Sequence, residues 1–220
     1  PCHSTCPTNI DIPSFIAHLG NGDYRSTIEV IRRDNPLPLT CGLVCPAPCE
    51  SACVRGGSNG AVFIRPLKAK AAEHCLAEGG YPKPEIAPDT GKRIGIVGSG
   101  PAGLTAAYYL RTHGHHVEIF EAQEKAGGML RYGIPAYRLP PDLLEQEIDQ
   151  IRVLGIEIHT GAAVGSLEAF RKDYDAVFIG LALGRVQGID ELLAHGAIAH
   201  AHELDVAFLD VDPAELADEQ

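Results

Sequence analysis

The chain has no run of about 18 or more apolar residues that could span a bilayer. Nor does it open on a basic stretch followed by an apolar one, as a secretory signal would. These absences predict a cytoplasmic protein without membrane insertion. Basic residues are also scarce: 18 Lys and Arg stand against 29 Asp and Glu, for a net charge of −11. That balance argues against sequence-independent nucleic-acid binding, which depends on cations neutralising phosphates. Internal repeats and low-complexity tracts are missing, and so is a catalytic constellation. Among the histidines only His200 and His202 approach a ligand spacing.

What is abundant is cysteine. Seven occur in 220 residues, and without a secretory signal metal or catalysis explains them better than disulfides. Six precede residue 54, in two clusters: Cys2-x3-Cys6-Pro7, then Cys41-x3-Cys45-Pro46-x2-Cys49-x3-Cys53. Short spacings with Pro after a ligand suit a chain wrapped around a compact iron-sulfur cubane, because several thiolates must converge. A structural zinc site, satisfied by four of these thiols, and buried unligated thiols are the alternatives. Cys75, beside Ala71 and Ala72, reads as a packed thiol.

The cysteines divide the chain. Residues 1–78 contain helical periodicity over 12–19 and 24–32 and read as a small α-helical, loop-rich domain that a bound cofactor would help to hold. Arg32, Arg33, Lys68 and Lys70 read as helix-surface charges. Residues 79–91, rich in Gly and Pro, read as a linker. An α/β domain then occupies 92–184: strand 93–97, glycine turn, helix 101–113, strand 116–121, helix 142–154, short strand 157–159 and buried strand 175–180. Residues 185–220, with His195 and an acidic end, read as a divergent tail.

The turn is Gly98-Ser99-Gly100-Pro101-Ala102-Gly103. A G-x-G-x-x-G alone is weak, but here a strand precedes it, a helix follows, and Glu121 ends the second strand 23 positions beyond Gly98. Gly98 permits the tight turn, Gly100 lets backbone approach a pyrophosphate, and Gly103 lets helix and strand pack closely. The helix start offers N–H groups to phosphate. Glu121 can accept from a ribose diol and would repel a 2′-phosphate. Pro101-Ala102 and the later Gly127-Gly128-Met129-Leu130-Arg131 resemble two-dinucleotide flavoproteins, where the second glycine pair approaches the flavin. By that likeness the dinucleotide is FAD, bound by Gly98, Gly100, Pro101, Ala102, Gly103, Glu121, Gly128, Leu130 and Arg131, with Tyr137 and Arg138 touching the flavin or packing beneath it.

Together with Asn35-Pro36-Leu37-Pro38, Cys41-Gly42-Leu43-Val44-Cys45-Pro46-Ala47-Pro48-Cys49-Glu50, Gly133-Ile134-Pro135 and Arg138-Leu139-Pro140, these motifs resemble one family over about residues 1–180. It contains the glutamate synthase small subunit, the amino-terminal half of dihydropyrimidine dehydrogenase and bifurcating transhydrogenase subunits. The resemblance implies an α-helical domain holding two 4Fe-4S clusters, an FAD domain, and electrons passing from nicotinamide to flavin to clusters to a partner protein. It assigns Cys6, Cys45 and Cys49 to one cluster, and Cys2 with Cys53 to the other.

Three departures accompany it. Two further family cysteines fall before Cys2 and outside the sequence given. Lys68 aligns where the family often has a Glu or Gln cluster ligand, so that Cys41 replaces that ligand, the alignment slips or the site is altered. No second G-x-G-x-x-G follows Gly180, which leaves NAD(P)H to a domain or chain not present here. The leading expectation is an electron-transfer flavoprotein subunit, or a fragment of one, with other oxidoreductase subunits as partners. The alternative is a non-catalytic relay or docking subunit.

Overall fold

The computed structural model describes residues 1–180, 198–201 and 206–210. In chain order the elements are helices α1 (Cys2–Thr5), α2 (Ile12–Gly20), α3 (Tyr24–Arg32), α4 (Pro38–Val44), α5 (Pro48–Ser51) and α6 (Ile64–Ala77), strand β1 (Arg93–Val97), helix α7 (Pro101–Thr112), strand β2 (His116–Glu121), helices α8 (Met129–Tyr132) and α9 (Pro141–Arg152), strand β3 (Glu157–Thr160), helix α10 (Leu167–Phe170), and strands β4 (Ala176–Ile179), β5 (Ile198–Ala201) and β6 (Val206–Asp210). Two compact units result: residues 1–84 with 134–150, and 85–133 with the described residues from 151 onward. The first break falls inside the expected linker. Residues 134–150 count with the first unit, although the sequence pattern runs them into a continuous 92–184 segment.

In the first unit, α2 and α3 each start on an aspartate. The Asp11 carboxylate accepts from Ser14 N at 3.1 Å and that of Asp23 from Ser26 N at 3.0 Å, caps worth about 1 kcal/mol each. Their apolar faces, with Phe15, Ile28 and Ile31 fully buried, meet Ile10, Leu39, Ile64, Ala71 and Ala72 in one core. Each large side chain there contributes roughly 1.5–3 kcal/mol. Helices α4 and α6 approach so closely that a Cβ on Gly42 would lie 2.8 Å from Ala69 Cα. Arg32 and Lys68, read as surface charges, are instead buried at 3% and 6% exposure. Arg32 Nη1 donates to the Pro82 carbonyl at 3.1 Å and its guanidinium lies over the Tyr81 ring. Both residues sit on the apolar stripe of their helix, and burial follows the stripe.

The second unit is built on a sheet of order β3-β2-β1-β4-β6-β5. β1 pairs parallel with β2 and β4, and β2 with β3, the 3-2-1-4 order of a dinucleotide-binding half. β6 adds antiparallel to β4 and β5 antiparallel to β6. The expected divergent tail therefore extends the sheet at these two strands; its remainder, including His195 and His202, lies outside the described residues. Among the described residues no helix is long and apolar enough to cross a membrane.

Candidate functional site

Gly98, which follows β1, has φ +100°, a conformation that favours glycine. Its N–H donates to the Phe120 carbonyl at 2.8 Å. A Cβ on Gly103 would fall 1.9 Å from the Gly98 carbonyl oxygen, so glycine there is a packing requirement. Gly100 is different. Its φ is −66° with extended ψ, and an added Cβ would meet nothing closer than the Gly180 oxygen at 3.9 Å. Neither backbone strain nor an internal neighbour demands glycine at this position, whereas a ligand lying against the backbone would. No side chain caps the α7 N-terminus that follows, which leaves that end suited to an anion.

Glu121, at the end of β2, is buried against the turn at 5% exposure. Its Oε2 accepts from Ser99 N at 3.0 Å and Ser99 Oγ at 2.5 Å, and Oε1 accepts from Gln123 N at 2.9 Å. Ser99, which the motif leaves as an unassigned x, thus orients the carboxylate. Ser99 also accepts from Gly127 N, through its carbonyl at 3.2 Å and its hydroxyl at 3.1 Å. This draws in the second glycine pair, where a Cβ on Gly128 would lie 2.8 Å from Gly100 Cα. Gly98, Gly100, Pro101, Ala102, Gly103, Glu121 and Gly128 therefore converge. Leu130 is buried, and Arg131 turns its Nε back to the Ala126 carbonyl at 2.5 Å. In the other unit, Tyr137 is 89% exposed and Arg138 Nη2 donates to the Val44 carbonyl at 3.4 Å.

The first unit contains a cavity of about 120 Å³ lined by Cys6, Cys41, Cys45, Cys49 and Lys68, with Ile10, Ile12, Phe15 and Ile64 making its apolar wall. Cys41 rides on α4, Cys45 ends it and Cys49 lies on α5. Ala47, between the last two, is left-handed at φ 56°; the turn lets Ala47 N donate to Cys45 Sγ at 3.3 Å. Lys68 Nζ donates to Cys41 Sγ at 2.9 Å. Burial pushes the Cys49 thiol up, and the neighbouring Cys6 and Cys45 sulfurs add to the effect. Burial likewise raises Cys45. Such thiols ionise when a cation joins them. Cys2 and Cys53 do not line this cavity, and Cys53 Sγ accepts from Val62 N at 3.5 Å.

A single tetrahedral zinc would hold its sulfurs roughly 3.8 Å apart. Among the described residues the one set of three possible ligand atoms all within 4.8 Å of one another is Glu118, Glu157 and His159, and Glu118 there is paired to Arg93 at 2.8 Å. Among the described residues no three of the cavity thiols lie within 4.8 Å of one another. The apolar wall and the four-sulfur lining fit an iron-sulfur cubane.

Comparison with known proteins agrees. Residues 1–79 match the family described as dihydropyrimidine dehydrogenase domain II, 4Fe-4S cluster, and residues 96–137 the NAD(P)-binding Rossmann-like domain. The beta subunit of NADP(+)-dependent formate dehydrogenase from Moorella thermoacetica is 38% identical over 83% of this chain and 29% of its own length. The glutamate synthase [NADPH] small chain of Mycobacterium tuberculosis is 38% identical over 81% and 37%. The PreT subunit of NAD-dependent dihydropyrimidine dehydrogenase from Salmonella typhimurium is 33% identical over 90% and 50%. The chain thus spans between 29% and 50% of the length of these curated relatives. Among solved structures, an amine oxidase from Pseudomonas geniculata aligns at a TM-score of 0.38 with 18% identity, covering 80% of this chain and 24% of that one. By its two matched regions and these relatives, the chain belongs to the family of the glutamate synthase small chain and dihydropyrimidine dehydrogenase, of which it holds a 4Fe-4S domain followed by a Rossmann-like domain.

Proposed function

We propose that this chain serves as an electron-transfer flavoprotein subunit of an NAD(P)H-linked oxidoreductase, binding FAD at the glycine turn and a 4Fe-4S cluster in the thiol-lined cavity. The observation that carries this reading is the convergence of Cys6, Cys41, Cys45 and Cys49 on one apolar cavity. Cys2 and Cys53, outside it, contribute to a second cluster. Other subunits of the complex supply or receive the electrons, as the subunit names of the relatives suggest.

A flavin converts two-electron hydride transfer into single-electron steps, and the protein's part is to hold it and set its environment. The uncapped α7 N-terminus would hold the pyrophosphate, and Gly100 would leave room for it. The Glu121 carboxylate, held by Ser99 and Gln123 N–H, would accept from the adenosine ribose. Gly128, drawn to Gly100 through Ser99, would let the second glycine pair approach a bound dinucleotide. The apolar wall of the thiol cavity keeps water from the cluster.

Gly100→Ala tests the nucleotide site without disturbing the fold, because the new Cβ has open space. The expected variant melts within about 1 kcal/mol of the parent in stability but is purified with its flavin content at least about tenfold lower, a loss of about 1.4 kcal/mol or more in binding. A Gly100→Ala protein with a full flavin complement would sink the site assignment. Serine substitution of Cys6, Cys41, Cys45 or Cys49, one at a time, is expected to remove the same iron-sulfur EPR signal and a common fraction of iron. If Cys41→Ser alone keeps that signal, Cys41 is not a ligand.

A further inference from the structure

We propose that Lys68 sets the reduction potential of the cluster held by Cys6, Cys41, Cys45 and Cys49, raising it through its contact with Cys41; this rests on the cluster assignment above. Lys68 is 6% exposed in the middle of α6, among Ala69, Ala71 and Ala72. Its ammonium lies 2.9 Å from Cys41 Sγ and lines the thiol cavity. Among the described residues no carboxylate lies within 4.0 Å of Nζ, so the sulfur is its hydrogen-bond partner. A buried ammonium without a hydrogen-bonding partner is costly, and the group that faces it here is the Cys41 sulfur. Arg65 also lines the cavity, but its Nη1 donates to the Cys45 carbonyl at 3.3 Å, so its hydrogen bond is to backbone oxygen and not to sulfur.

Reduction of the cluster adds one electron, and with it one unit of negative charge, to a group that four thiolates already make negative. No bond breaks and no proton need move. A fixed positive charge in a low-dielectric wall stabilises the more negative, reduced form, and an N–H donor to a ligand sulfur acts in the same direction. Both effects raise the potential. The close approach of Gly42 to Ala69 holds α4 against α6, and so keeps Cys41 within reach of Lys68. Lys68 acts through Cys41 and is a tuning and positioning residue.

The test is an EPR-monitored redox titration of the full chain carrying Lys68→Met, Lys68→Gln or Lys68→Arg, with iron content and flavin midpoint measured on each sample. The Met and Gln variants are expected to keep their iron while the cluster midpoint falls by at least about tenfold in the reduction equilibrium, about 59 mV for one electron. Lys68→Arg, which keeps the charge, is expected to stay near the parent value, and the flavin midpoint to stay fixed in all three. An unchanged cluster midpoint in an iron-replete Met or Gln variant overturns the proposal. So does loss of iron from both neutral variants with retention in Lys68→Arg, which would give Lys68 a role in assembly alone. Failure of the underlying cluster assignment looks different: the parent itself would lack a signal that depends on Cys6, Cys41, Cys45 and Cys49.

Discussion

Gly103→Ala is expected to lower the stability of the glycine-turn unit by about 3 kcal/mol or more and its melting temperature by on the order of 6–12 °C. Inside an exposed helix the same change would stabilise by about 1 kcal/mol, since alanine is the better helix former. The sign reverses here because the added methyl would fall 1.9 Å from the Gly98 carbonyl oxygen and 3.3 Å from an Ile96 methyl. The first obstacle is backbone, which cannot swing aside as a side chain would. α7 must retreat from β1, and the turn then loses the shape that the proposed nucleotide site needs. Thermal melting followed by circular dichroism, beside the Gly100→Ala control, measures the difference. A Gly103→Ala protein that melts with its parent would show that helix and strand are not packed as described.

Glu147→Ala is expected to destabilise the cysteine-bearing unit by about 4 kcal/mol. Glu147 is completely buried. Its Oε1 accepts from Leu39 N at 2.6 Å and from Tyr81 Oη at 2.9 Å, and its Oε2 accepts from Thr40 N at 2.7 Å. Leu39 and Thr40 lie in the first turn of α4, whose own cap position, Leu37, offers no side-chain acceptor. Truncation strands three buried donors at roughly 1–3 kcal/mol each and loosens the helix that carries Cys41. Chemical denaturation and iron retention after gel filtration both report the loss; parent-like values for both would refute the capping role.

A pH dependence accompanies it. Burial pushes the Glu147 carboxyl above its ordinary value, although the N–H and hydroxyl donors pull the other way. With the folded pKa above the unfolded one, the linked stability is complete below about pH 4.3, the unfolded value. It is lost as pH rises through the folded pKa. Glu147→Gln is expected to flatten that slope in denaturation curves recorded across the acid range.

Much of this architecture is legible in the sequence. The expected 93–97 and 116–121 strands are β1 and β2, and the 24–32 helix is α3, because period-two and period-3.6 patterns with glycine and aspartate punctuation report local structure directly. What escaped was partnership across the chain. Lys68, Arg32 and Glu147 are charges set on apolar stripes: Ile64, Lys68, Ala71, Ala72 and Cys75 in α6; Ile28, Ile31 and Arg32 in α3; Leu144, Glu147, Ile148 and Ile151 in α9. A charge in that register signals a buried polar contact, but a helical period names the face and not the group opposite. Ser99 was invisible for a similar reason. Its tie to Glu121 follows from the parallel pairing of β1 with β2 that the strand-helix-strand pattern implies, but that pattern does not say which side chain of the turn reaches the carboxylate.

Glu147 closes a hydrogen bond to a residue 108 positions earlier, so the order of synthesis matters. When α4 leaves the ribosome, its N-terminal amides have no acceptor from the chain, and they acquire one only after the glycine turn, β2 and most of α9 have followed. Closing so long a loop is slow compared with forming the helices themselves. During translation the nascent cysteine unit therefore has its thiols before it has the brace for the helix presenting Cys41. An iron donor acting on the growing chain would meet a looser site than one acting after release, which favours cluster insertion as a late step of maturation.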